Sequence, residues 1–176
     1  KLDIRKVESP TAVEVYVSAV PTKNTSVRKQ AEGIFKAVSD ALTGENADIL
    51  QERIFTHESA LKAISDTRPS LYGQLDDGVP PSILLCDQGH TVPIAGIQIH
   101  AIRSDTNLQV INIQENPCGR LFKMPDCEYL ALSNVTATDF ADTKAQAKAM
   151  LEKGEAVLKQ FGADFLSVPR TWMWLC

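Results

Sequence analysis

Few residues of this 176-residue chain have the types and the spacing that chemistry needs. Arg170, Trp172 and Trp174 alternate near its end, so on a strand their side chains share one face. A guanidinium beside aromatic rings could bind a planar, unsaturated carboxylic acid. The same face could instead pack against a neighbouring unit with Arg170 at its edge, and both interpretations stay open.

A second set of candidates lies in the first half of the chain. Arg53, Phe55 and His57 also alternate, so they predict a comparable face with the same two interpretations. His100 follows an apolar stretch and is either a strand histidine that hydrogen-bonds locally or a weak candidate for a catalytic base. No role is predicted for the turn that contains Asp76 and its neighbour Asp77.

Composition narrows the classes of function. The 18 basic and 22 acidic residues give a net charge of -4, and no block of Lys and Arg stands out. This balance disfavours nucleic acid as a partner. No apolar run approaches the roughly 20 residues that a membrane helix needs. We therefore expect a packed domain without a membrane partner.

The four cysteines, at positions 86, 118, 127 and 176, form no C-x-x-C pair. Their spacing fits neither a zinc site nor a disulfide framework, so no metal and no cofactor is predicted. Cysteines of this kind are usually buried hydrophobic residues, which favours a reducing cytoplasm.

The order of patterns predicts an α+β fold. Alternation predicts strands over 12–20 and 48–57, and a stripe of apolar residues predicts a helix over 26–42 that Gly44 ends. A short helix over 58–66 and a hairpin of strands 82–87 and 95–102 complete a sheet with helices on one face. The predicted core is Ile34, Val38, Leu42, Ile54, Leu84, Ile97 and Ile99.

The pattern then begins again after a strand over 108–113. Strands over 121–124 and 128–134, a helix over 142–161 and a strand over 168–175 repeat the earlier order with a period of about 116 residues. Gln146-Ala147 matches Gln30-Ala31, for example. We therefore expect a tandem repeat: a first unit over 1–105, a linker over 106–118, and the first half of a second unit over 119–176. The second unit needs completion by further sequence or by another chain, because the chain looks truncated there.

The second unit carries a resemblance to a known family. The strand ending in Ser133, the helix that opens with Asp-Thr-Lys-Ala-Gln-Ala at 142–147, and Gly-Ala-Asp at 162–164 resemble the YjgF/YER057c/UK114 family, also called Rid proteins. Residues 12–102 resemble a more diverged member. The resemblance implies a chorismate-mutase-like sheet backed by helices, assembled as a trimer with ligand clefts between units. Tandem copies also resemble the chorismatase relatives.

The resemblance implies several activities, and the residues test some of them. Family deaminases hydrolyse enamines and imines with an arginine that grips the carboxylate and a glutamate that places water; here those positions carry Pro81 and His100. The first unit therefore lacks that chemistry, and in the second unit the positions would lie beyond Cys176. We expect binding of a small carboxylated metabolite between units, with deaminase or chorismatase-like hydrolase activity left open. The alternatives are a non-catalytic assembly unit and an endoribonuclease or translation initiation inhibitor, against which the acidic charge weighs.

Overall fold

The protein is described here by a computed structural model of residues 1–22, 25–86, 92–140, 142–169 and 171. In chain order the elements are β1 (Leu2–Glu8), β2 (Val13–Ala19), α1 (Val27–Glu45), β3 (Asp48–Thr56), α2 (Leu61–Tyr72), β4 (Ser82–Leu85), β5 (Ile94–Arg103), β6 (Gln109–Ile113), β7 (Asn116–Lys123), β8 (Glu128–Leu132) and α3 (Thr143–Gln160). Among these residues no helix is both long and apolar enough to cross a bilayer.

Five strands form the first sheet, in the order β1-β2-β5-β3-β4. Neighbours are antiparallel except β3 and β4, which are parallel because α2 carries the chain from one to the other. The α+β class is confirmed. The predicted hairpin of strands 82–87 and 95–102 is wrong, since β3 lies between β4 and β5. The sequence analysis also missed β1, a fully exposed edge strand.

The core lies between this sheet and α1. Ile34, Phe35, Val38 and Leu42 are buried on one stripe of α1 and pack on inward residues of β2, β3 and β5. Burying each of these side chains contributes about 1.5–3 kcal/mol. The predicted core is confirmed except for Leu84, which is only half-buried because β4 is the last strand at this edge.

Helices α1 and α2 both run further than predicted. Ser26 caps α1 by accepting the N–H of Lys29, and the helix continues through Gly44 until Asn46 adopts the left-handed conformation with φ 50°. The predicted stop at Gly44 is therefore wrong. Helix α2 passes through Pro69, whereas the pattern placed its end near residue 66. Tertiary contacts extend it, because the Tyr72 ring packs edge-on against Phe35 with centroids 5.4 Å apart.

A second, antiparallel sheet has the order β6-β7-β8. Phe122 on β7 and Ala131 on β8 pack on Leu50 and Ile102 of the first sheet. Helix α3 covers another part of the second sheet through the buried Val157. The predicted strand pair and helix are confirmed, with β6 and the start of β7 inside the segment predicted as a linker. The repeat and its boundaries stay predictions.

Candidate functional site

Strand alternation divides the side chains of the first sheet between two faces. On β2 and β5, Val15, Val17, Ile99 and Ala101 face the helices and join the core. Their neighbours in sequence must point to the opposite side. The cluster on that side, called the polar face below, consists of Glu14, Tyr16, Gln51, Arg53 and His100. The register places Tyr16 and Gln51 on either side of His100.

His100 is held by two residues of the neighbouring strand β2. Its Nε2 lies 2.7 Å from Oε2 of Glu14, and the Tyr16 hydroxyl donates to the same oxygen over 2.5 Å. The Tyr16 ring stacks on the imidazole with centroids 4.6 Å apart and an angle of 8°. Tyr129 of β8 approaches edge-on at 6.1 Å. The imidazole orientation is therefore fixed by a hydrogen bond and two rings.

These contacts define the proton positions on His100. A carboxylate only accepts hydrogen bonds, so Nε2 carries the hydrogen and Nδ1 carries the lone pair of the neutral ring. Burial lowers the pKa of His100; the hydrogen bond and the charge of Glu14 oppose this effect, and Arg53 adds to it. The imidazole is therefore mainly neutral at pH 7, which is the form that accepts a proton.

Arg53 supplies a positive charge on the same face. Its Nη2 donates to Oε1 of Gln51, whose amide nitrogen in turn donates to the carbonyl oxygen of Leu132 over 3.2 Å. Gln51 thus links β3 to β8 and orients Arg53. A half-buried guanidinium can bind a carboxylate through two parallel hydrogen bonds.

The structure brings together two of the residues that the sequence singled out. His100 and Arg53 share the polar face, whereas His57 lies at the end of β3, where its Nδ1 is 2.9 Å from the Ser59 hydroxyl at the start of a short turn. Arg170, Trp172 and Trp174 lie outside the described residues, so their role as ligand-binding residues stays a prediction. Val168, Pro169 and Thr171, the described residues of the predicted strand 168–175, are not in a strand.

Sequence reasoning missed Glu14, Tyr16 and Tyr129. The alternation within 12–20 does place Glu14 and Tyr16 on the face away from the core, and that signal was available. The alternation does not show which strand pairs with β2, and only the β2–β5 register brings Tyr16 beside His100.

A buried charge network lies on the opposite, helix-facing side. Glu52 accepts hydrogen bonds from Nε of Arg68 and from the Tyr72 hydroxyl, both over 2.8 Å. Arg68 also donates to Asp76 over 2.7 Å. Burial raises the pKa of Glu52, and the charge of Arg68 opposes that rise. Because these contacts join β3, α2 and the loop after it, we assign the network a structural role.

Asp77, for which no role was predicted, forms a second buried pair. Its two carboxylate oxygens each accept a hydrogen bond from Arg120 on β7 over 2.6 Å. Arg120 also donates to the carbonyl oxygen of Leu50 over 3.4 Å and is 1% exposed. The loop between α2 and β4 is thereby fastened to the second sheet. A turn-like sequence gives no sign of an arginine 43 residues away.

A groove of about 540 Å³ lies between α2 and the segment leading into β4. Its walls include Ile64, Val79, Pro80, Pro81 and Ile83. Pro81, which the resemblance places where family deaminases have an arginine, is part of this wall. None of the residues of the polar face lines the groove.

Possible metal ligands are scattered in the described part of the chain. No three His, Cys, Asp or Glu side chains there are grouped so that they could hold a metal ion. Cys118 is buried, and burial raises the pKa of its thiol, whereas Cys127 is exposed on the β7–β8 turn. The expectation of buried cysteines is therefore wrong for Cys127.

Comparison with known proteins gives no family model and no curated protein that matches this chain. Two solved structures are similar to it: a candidate translation initiation inhibitor from Salmonella typhimurium, at 14% identity, and a member of the YjgF/YER057c/UK114 family from Mycobacterium tuberculosis, at 15%. Each match covers 59% of this chain and 99% of the solved chain, with a TM-score of 0.39. The second of these structures is from the family that the sequence resembles, and no residue role is transferred from either structure.

Proposed function

We propose that this protein binds a small carboxylated metabolite on the polar face, in a cleft that a neighbouring unit completes. The observation that carries the proposal is the convergence of Arg53, His100 and Tyr16 on a sheet face that neither α1 nor α2 covers. A positive charge, a neutral imidazole and an aromatic ring together match a carboxylate attached to a planar group.

Assembly and location belong to the same proposal. Tyr16 keeps 41% exposure although its ring stacks on His100, and a trimer of the kind that the family resemblance implies would enclose this face. Cys86, Cys118 and Cys127 are free, which supports a reducing cytoplasm as the compartment. Hydrolase and deaminase activity are not part of this proposal.

The test is a titration of the ¹⁵N-labelled full chain, followed by NMR, with benzoate and with 2-oxobutyrate as probes. We expect saturable shifts that involve β2, β3 and β5, and none with benzamide, which has the shape of benzoate without its charge. Arg53→Gln should weaken binding of both acids about tenfold or more, as expected for a lost charge-assisted hydrogen bond.

The matched control is Arg28→Gln. Arg28 lies on the exposed face of α1, where it pairs with Glu32 over 3.0 Å, away from the polar face. This variant removes the same charge and should leave the affinity unchanged. Equal binding of benzamide, or equal loss of affinity in both variants, would show that the polar face is not a carboxylate site.

A further inference from the structure

Strand β1 forms one edge of the first sheet, and one of its sides is open. Among the described residues it pairs with β2 alone, and all of its residues are exposed. Its apolar side chains include Leu2 and Ile4, each 37% exposed, and Val7, which is 55% exposed. A long exposed edge with apolar residues is a template for pairing with another strand. The edge of β1 is therefore a surface to which a further strand can add.

The backbone hydrogen bonds to β2 show which groups of β1 are open to another strand. The Lys1 nitrogen donates to the Val20 carbonyl oxygen over 2.8 Å, and the Val20 N–H donates to the Lys1 carbonyl oxygen over 2.9 Å. The register continues from this pair without a shift, and bonded and non-bonded pairs alternate along an antiparallel ladder. The odd-numbered residues of β1 therefore bond to β2. The residues whose N–H and C=O groups point away from β2 are Leu2, Ile4, Lys6 and Glu8.

We propose that β1 pairs in antiparallel fashion with β1 of a second copy of this chain, with Ile4 opposite Ile4 of the partner subunit. Leu2 then lies opposite the partner subunit's Lys6, and Asp3 lies opposite the partner subunit's Arg5. A two-fold axis perpendicular to the sheet relates the two copies and joins their first sheets edge to edge. This contact does not depend on the proposed function, because it leaves both faces of the sheet uncovered.

The charges of β1 favour this register over its neighbours. The two-fold axis keeps each face of the sheet continuous, so an even-numbered residue can lie only opposite another even-numbered residue. With Ile4 opposite Ile4, both contacts between Asp3 and Arg5 join opposite charges. With Ile4 opposite Lys6, the two Arg5 side chains would face each other. With Ile4 opposite Leu2, the two Asp3 side chains would do so. Like charges directly opposite destabilise a strand pair, so β1 is complementary to itself in one of these registers.

The open backbone groups fit the same register. The pair of Ile4 residues and the two pairs of Leu2 with Lys6 use N–H and C=O groups that point away from β2, and each such pair exchanges two hydrogen bonds. Asp3 and Arg5 then form the non-bonded pairs, in which side chains approach more closely. Within one strand Arg5 Nε lies 3.3 Å from Asp3 Oδ2, and the two side chains are 81% and 58% exposed. Both charges can therefore reach the partner subunit.

The helices leave room for the second copy. Leu2 and Ile4 lie opposite the core residues Ala19 and Val17, so their side chains are on the helix side of the sheet. Helix α1 packs on β2, β3 and β5 and does not cover them. In the pair, two β1 strands would separate the helices of the two copies. The exposed Ile4 side chains would meet at the axis and bury apolar surface there.

The experiment measures the mass of the full chain by light scattering at rising protein concentration, and we expect an even number of copies. Asp3→Arg and Arg5→Asp each place like charges opposite each other in both contacts. Each variant should raise the dissociation constant about tenfold or more. An equimolar mixture of the two variants restores opposite charges in both contacts, so it should regain the affinity of the unaltered chain. Contacts within one chain cannot produce this recovery.

The matched control is Arg28→Asp, which reverses the charge of an exposed pair with Glu32 on α1 and should leave the mass unchanged at every concentration. Circular dichroism of dilute samples checks that all variants fold. Amide hydrogen exchange of the unaltered chain tests the backbone pairing. The N–H groups of Ile4 and Lys6 should exchange more slowly as concentration rises, whereas that of Arg5, already bonded to β2, should depend on it far less.

Each result decides for or against the pairing. A single chain or an odd number of copies at every concentration would overturn the inference. If Asp3→Arg associated as tightly as the unaltered chain, the register would be wrong. A mixture that associated no better than its two components would show that Asp3 and Arg5 do not meet across an interface. The proposed function is tested separately, since the titration with acids reports on the polar face whatever the number of copies.

Discussion

Replacement of Asp77 by asparagine tests whether the loop before β4 is fastened to the second sheet by charge. Asp77 contacts Arg120 through two hydrogen bonds of 2.6 Å, and the Arg120 side chain is almost completely buried. The Asp77→Asn change keeps the size of the side chain. It leaves the Arg120 guanidinium buried without its hydrogen-bonded counter-charge and with a single side-chain acceptor oxygen in place of two.

We expect a large loss of stability from Asp77→Asn, although it replaces only one carboxylate oxygen by an amide nitrogen. Removing one partner of a buried ion pair lowers the free energy of unfolding by about 3–5 kcal/mol. The Asp77 side chain is 30% exposed, and Arg120 keeps its contact with the Leu50 carbonyl oxygen, so the lower end of that range applies. We expect about 3 kcal/mol, which corresponds to a fall in Tm of about 6–12 °C for a chain of this length.

Urea denaturation followed by circular dichroism measures the loss. The matched control is Asp66→Asn, which removes the same charge from an exposed pair with Lys62 on α2. Exposed pairs of this kind contribute at most about 1 kcal/mol. Asp66→Asn should therefore shift the unfolding midpoint far less than Asp77→Asn.

A double-mutant cycle covers the case in which Asp77→Asn folds poorly. In Asp77→Asn/Arg120→Gln the buried charge is gone and two amides can hydrogen-bond to each other, so the double variant should be more stable than the sum of the single changes by about 1–3 kcal/mol. If the losses of stability in the two single variants were additive, or if Asp77→Asn were as stable as Asp66→Asn, the argument from the buried pair would be refuted.

Two further changes test the polar face and the second sheet. Because burial lowers the pKa of His100 below 6.5, the folded chain binds fewer protons than the unfolded chain between that pKa and 6.5, so the free energy of unfolding should fall as pH drops through this window. Urea midpoints at about pH 7.5 and about pH 5 should show a smaller fall in His100→Gln, and an equal fall in both proteins would contradict the shift. At Gly119 a Cβ would overlap the Ala131 carbonyl oxygen and lie 2.9 Å from Leu132 Cδ2, so Gly119→Ala should lower stability by about 1–3 kcal/mol. In the same denaturation assay Gly154→Ala on α3, where nothing lies within 4 Å, should be neutral or stabilising, and equal effects would contradict the close β7–β8 pairing.

Local periodicity predicted the elements that bury one clear face. The stripe of α1 and the alternation of β2 are set by residues close in sequence, and both elements were confirmed. Pairing between distant strands cannot be predicted from local periodicity, because the residues of β4 do not indicate which strand lies beside it. The Gly-containing segment before β5 favoured a hairpin, whereas the length of α2 allows β4 to pair in parallel with β3 instead.

The candidate site was predictable only one residue at a time. His100 and Arg53 could be named from their strands, but their joint environment depends on registers that bring β2, β3 and β5 together. Buried charged residues were harder still to predict, since a lone arginine or aspartate in a sequence is normally expected at the solvent-exposed surface. Arg120 became one of the most buried large side chains because an aspartate from another part of the chain neutralises it.

The polar face retains a carboxylate although the sequence lacks one at the position that the family resemblance implies. The resemblance predicts a glutamate on the strand β5, where this chain has His100. Glu14 on the neighbouring strand β2 places its carboxylate 2.7 Å from that histidine, and its side chain is 40% exposed whereas that of His100 is 13% exposed. A carboxylate that itself faces a ligand carries a fixed negative charge at neutral pH, whereas an imidazole backed by a carboxylate is neutral and can accept a proton. Because the Glu14 side chain is the more exposed of the two, we expect a negatively charged ligand on this face to depend on the positive charge of Arg53, which offsets that carboxylate.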